Sequence, residues 1–318
     1  MKASVLPHLT DRPYVTDGGL ETTLVFHENI DLPCFAAFDL LRTPAGRETL
    51  REYYRTYANF AREFRVGFIL ESPTWRANPD WAQKLGYTKA GLVDANRNAI
   101  ALMHEVRAEF ETPETPVVVS GCLGPRGDGY QPSALMSARE AAAYHRPQIR
   151  TYRDEGVDLV TAFTLNYAEE AIGIADAAAD LGIPAVISFT TETDGKLPTG
   201  QGLGEAIEAV DAAASQMPAY YMINCAHPTH LRDALPTGAP WLKRIRGLRA
   251  NASCRSHAEL DESPDLDSGN PQELAGQYRQ LRRKLTNLQI LGGCCGTDHR
   301  HVEAICQSCF SPAEALIS

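Results

Sequence analysis

Eight short runs of β-branched and other apolar residues recur along the chain, at 14–16, 66–70, 116–120, 157–162, 184–189, 219–224, 245–249 and 288–291. Several are apolar nearly throughout, as parallel strands covered on both faces read. Between them lie stretches with apolar positions at helical spacing, at 47–64, 89–110, 138–155, 167–181, 203–216 and 271–284. Such alternation predicts parallel βα units, because a parallel strand pair needs a long crossover and a helix supplies it. Eight units in 318 residues predict an α/β protein with one domain, a (β/α)8 TIM barrel. A doubly wound open sheet is the rival, but no Gly-x-Gly-x-x-Gly turn follows the first run. Two irregular stretches, 26–44 and the acidic 259–270 with Asp261, Glu262, Asp265 and Asp267, interrupt the rhythm. They read as loops over the barrel mouth or as subunit contacts, so a homo-oligomer stays open.

Composition narrows the function. Apolar residues make up 44% of the chain and charged ones 22%, an ordinary globular balance. A net charge of −10 argues against a nucleic-acid partner or an anionic membrane surface and favours small solutes. The first twelve residues lack the apolar core of a secretory signal, and no apolar run approaches the 18 or so residues of a membrane span. The expectation is a cytoplasmic protein. Its eight cysteines should then be mostly reduced, available as metal ligands or reactive groups.

In a barrel the C-terminal ends of the strands build the site. Here they read Asp17-Gly18-Gly19, Glu71-Ser72, Gly121-Cys122, Thr164-Leu165-Asn166, Thr190-Thr191-Glu192, Asn224-Cys225, Asn251 and Gly292-Gly293-Cys294-Cys295-Gly296-Thr297. Closure would set strands six and eight two staves apart on one rim, so Cys225, Cys294 and Cys295 can converge. Three thiolates with an open fourth position make a catalytic zinc site. Buried cysteines that merely pack are the bland alternative.

Several of these segments resemble the zinc-dependent homocysteine S-methyltransferase family. Gly292-Gly293-Cys294-Cys295-Gly296-Thr297 is similar to the family's C-terminal signature, Ile223-Asn224-Cys225 to its middle cysteine motif and Thr16-Asp17-Gly18-Gly19 to its opening motif. Ser188-Phe189-Thr190, Asp194-Gly195, Gly202 and Asn251 also fall where the family has related segments, and the likeness spans about 14–305. The resemblance implies a (β/α)8 barrel, Zn2+ held by Cys225, Cys294 and Cys295, and methyl transfer from a cationic donor, a sulfonium or quaternary ammonium, to a thiol. Homocysteine, giving methionine, is the acceptor it implies. One departure stands out: family members that bind homocysteine carry a Glu at the end of strand four for the amino group, and Phe163 occupies that place in Phe163-Thr164-Leu165-Asn166. Either Asp17 or Glu71 holds the amine, or the acceptor is a different thiol.

A free thiol, with a pKa of about 8.5, is mostly protonated at neutral pH, and metal coordination removes that proton. Candidate substrate contacts are Asp17, Gly19, Glu71, Thr164, Asn166, Asn224 and Asn251, although Asp and Asn at strand ends also form turns and Glu71 has Arg76 as an alternative partner. Trp75, Tyr130 and Tyr167 can line a pocket for a cationic donor, with ordinary packing the commoner role. His227, His230, His299 and His301 flank the cysteine motifs and are left off the ligand set. Cys306 and Cys309 read as packing within a final helix. Two other functions fit the same cysteines: a zinc hydrolase or lyase, and a non-catalytic thiol sensor or zinc-binding protein, the sensor resting on a Cys294–Cys295 vicinal disulfide.

Overall fold

The computed structural model describes residues 6–310 except 133, 134, 262 and 264, so Glu262 of the acidic loop and both ends of the chain lie outside the described residues. The eight runs are eight strands: β1 (Tyr14–Val15), β2 (Gly67–Glu71), β3 (Val117–Leu123), β4 (Leu159–Leu165), β5 (Ala185–Phe189), β6 (Tyr220–Asn224), β7 (Ile245–Ala250) and β8 (Ile290–Gly293). They close in sequence order into a parallel barrel. The seam is made by β1, where Tyr14 faces Gly67 of β2 on one side and Ile290 of β8 on the other.

A helix follows every strand: α1 (Pro44–Glu63), α2 (Lys89–Phe110), α3 (Ala138–Asp154), α4 (Ala168–Asp180), α5 (Leu203–Ala213), α6 (Pro228–Ala234), α7 (Pro271–Lys284) and α8 (His299–Phe310). Their starts are encoded locally. Thr43 accepts the Gly46 N–H ahead of Pro44, Ser137 and Glu140 form a reciprocal capping box, and Asn270 accepts from Gln272 and Glu273 ahead of Pro271. Within the expected loop 26–44, short 3-10 turns span Pro33–Phe35 and Ala37–Arg42. The fourth strand starts later than 157 because the Asp158 side chain is engaged below the ladder, accepting from Val119 N at 2.8 Å and Arg107 at 2.7 Å.

Strand pleating sorts side chains into two cores. Outward residues such as Phe68, Leu70, Val119, Val160 and Ile223 pack under the helices. Inward residues Tyr14, Ile69, Val118, Leu159, Val186, Tyr220, Met222 and Ile290 fill the barrel itself. Burying each large aliphatic or aromatic side chain contributes about 1.5–3 kcal/mol, and this plug closes the barrel below its mouth. Above it the inward positions turn polar: Ser120 bonds Thr161 at 2.8 Å and Ser188 bonds Asn224 at 2.7 Å. Among the described residues no helix is long and apolar enough to cross a membrane.

Gly67 is the small residue that admits the Tyr14 ring at the seam, since a Cβ there would run into that ring. Gly67→Ala should therefore cost about 1–3 kcal/mol of stability through overpacking. Urea unfolding should show a lower midpoint at unchanged slope. An unchanged midpoint would mean that the seam is not tightly packed.

Candidate metal centre at the barrel mouth

Cys225 directly follows β6 with φ +52°, a conformation that costs a non-glycine residue about 1–3 kcal/mol and persists only where the surroundings hold it. They do so here. Its N–H donates to the Arg249 carbonyl at 3.0 Å, and its own carbonyl accepts from Asn251 Nδ2 at 3.2 Å and bonds His257 Nε2 at 2.6 Å. Beyond β8, Cys294 N donates to the Ala250 carbonyl at 2.8 Å, while its carbonyl accepts from Thr297 Oγ1 at 2.7 Å. That carbonyl lies where a Cβ on Gly19 would be, so only glycine lets the first strand end pass this close.

The result is a convergence of the Cys225, Cys294 and Cys295 sulfurs, all within 4.8 Å of one another. Cys225 and Cys295 sulfurs are 4.0 Å apart, and Cys225 is paired with Cys294 as a disulfide across 5.5 Å between Cα atoms. Zn–S bonds of about 2.3 Å in tetrahedral geometry put sulfurs roughly 3.8 Å apart, so with the pair reduced one ion can be shared by all three. Soft thiolate donors suit zinc. Among the described residues no other group of three His, Cys, Asp or Glu meets this geometry, and none of the four flanking histidines belongs to it.

Polar side chains steady the sulfurs. Asn224 accepts from Thr164 N at 2.9 Å and Ser188 Oγ at 2.7 Å, and directs its amide to Thr164 Oγ1 at 2.9 Å and Cys294 Sγ at 3.9 Å. Thr164, at φ +61°, sits at the register shift between β4 and β5. The Tyr130 hydroxyl is 3.9 Å from Cys295 Sγ, and its ring lies 4.1 Å from that of His257.

Beside the sulfurs lies a buried ion pair. Arg249 of β7 holds Asp17 at 2.8 Å and donates to the carbonyls of Gly18 and Gly293, both at 2.9 Å. Burial pushes the Asp17 carboxyl up from its ordinary range, while Arg249 and a 3.0 Å hydrogen bond from Tyr53 pull it back. The same guanidinium lies 5.1 Å over the Phe163 ring. Glu71 does not pair with Arg76. Both its oxygens are buried without a well-formed hydrogen bond, and burial raises its pKa to about 7, against the pull of nearby Ser120, Arg249 and Thr161.

These groups open onto one cavity of about 460 Å³, whose wall includes Asp17, Gly19, Glu71, Thr164, Asn224 and Asn251. One of the expected substrate contacts, Asn166, needs correction, and a second, Gly19, offers no free N–H. Asn166 lies off the cavity wall, where its amide donates to the carbonyls of Asp128 at 3.3 Å and Gly129 at 3.0 Å and so braces the loop carrying Tyr130. Gly19 reaches the wall, but its N–H is taken by the Thr297 carbonyl at 3.0 Å. Trp75 and Tyr130 line the cavity, whereas the Tyr167 hydroxyl accepts the Met136 N–H at 3.0 Å away from it. Residues 265–267 and Leu260 of the acidic loop form the outer rim. Cys306 and Cys309 are buried in α8. Arg249 and His257 are wall residues to which the sequence pattern assigned no role, and Arg76, expected only as a partner for Glu71, is a third.

Fold and site together define a (β/α)8 barrel with a three-cysteine centre at its C-terminal mouth. The sequence profile of the homocysteine S-methyltransferases matches residues 14–309, and the chain belongs to that family. Homocysteine S-methyltransferase 3 of Arabidopsis thaliana is 21% identical over 318 residues, covering 92% of this chain and 88% of that protein. Homocysteine S-methyltransferase 1 of the same plant is 22% identical over 314 residues, covering 92% and 91%. The metallated form of the homocysteine methyltransferase MmuM from Escherichia coli superposes with a TM-score of 0.70 at 18% identity, covering 94% of this chain and 96% of that one; its oxidized form gives 0.69 at 18%, covering 93% and 95%. These likenesses establish a shared barrel.

Glu71 generates a pH prediction. A carboxyl raised to about 7 in the folded protein, against about 4.3 unfolded, holds an extra proton on folding, so stability falls as pH rises between those values. Glu71→Gln removes that loss. In urea unfolding the variant should gain on the native protein between about pH 5 and pH 8; a constant difference would show that Glu71 is ionised throughout.

Proposed function

We propose that the protein is a zinc-dependent S-methyltransferase that moves a methyl group from a sulfonium or quaternary ammonium donor to a thiol, homocysteine or a close relative. The observation that carries this reading is the convergence of three cysteine sulfurs in the wall of a substrate-sized cavity. Cys225, Cys294 and Cys295 would hold the ion. Zinc bound there lowers the pKa of an acceptor thiol, so that its sulfur is a nucleophile at neutral pH. In the transfer a bond forms between that sulfur and the methyl carbon, the bond from carbon to the donor's cationic centre breaks, and the donor leaves neutral.

The chain's own residues position and shield. Asn224 and Tyr130 fix the sulfurs from two sides, and His257 and Asn251 hold the strained Cys225 carbonyl. Phe26, Phe35, Trp75 and Leu260 crowd the outer cavity and restrict water, which holds the two substrates in line. The family and the names of the relatives support homocysteine as acceptor. Phe163 has no charge to offer its ammonium, and Arg249 already sits over the ring. Asp17 is committed to Arg249, which leaves Glu71 and Glu21 as the carboxyls of the cavity wall; Glu71, with both oxygens buried and without a hydrogen bond, is the one assigned to the amine.

Two outcomes test this. Cys225→Ala, Cys294→Ala and Cys295→Ala, prepared under reducing conditions, should each abolish stoichiometric zinc and methyl transfer while circular dichroism shows a folded barrel. Full zinc and turnover in any one of them would exclude the three-thiolate site. The second concerns the amine, read as the ratio of kcat/KM for homocysteine to that for a desamino thiol of equal length. Glu71→Gln should lower the ratio by about tenfold, or 1.4 kcal/mol, and Phe163→Glu should raise it by adding a second carboxylate beside a guanidinium that one already neutralises. A ratio insensitive to both changes would mean that the pocket does not read the amine.

A further inference from the structure

Arg76 follows β2 by five residues and stands in the wall of the same cavity. Its guanidinium lies in an aromatic slot, 4.1 Å from the Trp81 ring centroid, 5.0 Å from that of Trp75 and 5.9 Å from that of Phe35. Nη1 donates to the Cys34 carbonyl. Nε is buried and bonds to nothing. Arg76 forms no ion pair with a described residue, and Glu21 and Asp128 act on it only at longer range. Five donors and a full charge are thus held on the cavity wall with one internal hydrogen bond.

The corner that receives that bond is itself strained. Cys34 and Phe35 adopt φ +56° and +54° in succession, an outlier for a bulky residue that persists only where its surroundings hold it. A brace for this corner would account for Nη1. It would not account for a full charge on the cavity wall with no ion pair among the described residues. Arg249 offers a contrast, for its Nε and Nη2 are fully engaged by Gly293, Gly18 and Asp17. Of these two cavity arginines, Arg76 is the one whose charge awaits a partner.

We infer that Arg76 is a specificity-determining residue that receives the carboxylate of an amino-acid-type substrate through charge-assisted hydrogen bonds. The inference rests on the methyl-transfer reading above, in which the thiol acceptor and the sulfonium or betaine donor can each supply that carboxylate. The aromatic slot keeps the guanidinium plane fixed, so the carboxylate is met by a preformed donor set.

The test uses the full-length, reduced, zinc-loaded protein and its Arg76→Met and Arg76→Lys variants. Each is given homocysteine or its methyl ester with S-methylmethionine as donor, then homocysteine with S-methylmethionine or its methyl ester. In the native protein the free acid should be favoured over the ester at least tenfold in kcat/KM for one of the two substrates. Which pair shows the preference identifies the source of the carboxylate. Arg76→Met should lower use of the acid at least tenfold more than use of the ester, through KM and with zinc content unchanged, and Arg76→Lys should restore part of the preference. Calorimetric binding of the same four compounds reads the same preference without turnover, so failure of the methyl-transfer reading is distinguishable from failure of this one. Equal use and equal binding of acids and esters by the native protein, or an equal loss of both in Arg76→Met, would overturn the assignment and leave Arg76 as a brace for the Cys34–Phe35 corner.

Discussion

A guanidinium almost withdrawn from water ties the barrel together at its weakest place. Arg249 reaches from β7 to the Gly293 carbonyl at the end of β8 and to Gly18 and Asp17 beyond β1. The first strand contributes only Tyr14 and Val15 to its ladders, so the closing seam has few backbone hydrogen bonds of its own. Breaking a buried pair by removing one partner typically costs about 3–5 kcal/mol, because the other charge is left stranded. The seam is also where Gly19 lies against Cys294, so an interaction that closes the barrel sets the position of the metal-binding turn.

The same interaction organises the pocket's charge. Asp17 and Arg249 cancel at the floor, Phe163 adds no charge, and Glu71 sits in surroundings that favour its neutral form. On the proposed function, three thiolates around one Zn2+ carry a net charge of about −1 on the cavity wall. That charge would draw in a cationic donor, which loses its own charge in the proposed transfer. An electrostatic bias of this kind favours the charge distribution of the reactants approaching the sulfur, and releases the donor product once it is neutral.

Much of this was legible in the amino-acid sequence because the barrel is repetitive and its site obeys the strand ends. All eight apolar runs are strands, and Cys225, Cys294 and Cys295 meet because closure brings β6 and β8 to one rim. Arg249 escaped for a specific reason: attention to the residues just beyond each run passes over the last inward residue within it. The pleat did contain the signal, since Arg249 lies two residues before Asn251 and therefore on the same face of the chain. His257 reaches the site from the first position of a short helix, His257–Asp261, inside the irregular segment after β7, where neither period 2 nor period 3.6 sets the path. Asn166 misled because the register shift at Thr164 turns the chain just before it. Arg76 could be paired with Glu71 on paper; the fold instead lays it among Trp75, Trp81 and Phe35.

Phe163 and Arg76 alter the pocket in the same direction. One puts an uncharged ring on the inner wall where the family resemblance leads one to expect a carboxylate; the other places a positive charge on the cavity wall with most of its donors unused. An amino acid carries both an ammonium and a carboxylate, so a pocket can grip it by either end. Gripping the carboxylate at the aromatic slot anchors the substrate away from the sulfurs and leaves its remaining length to span the cavity. On the proposed assignment the acid end is read at Arg76 and the amine at Glu71, two positions on the wall of the one cavity that the three cysteines also line.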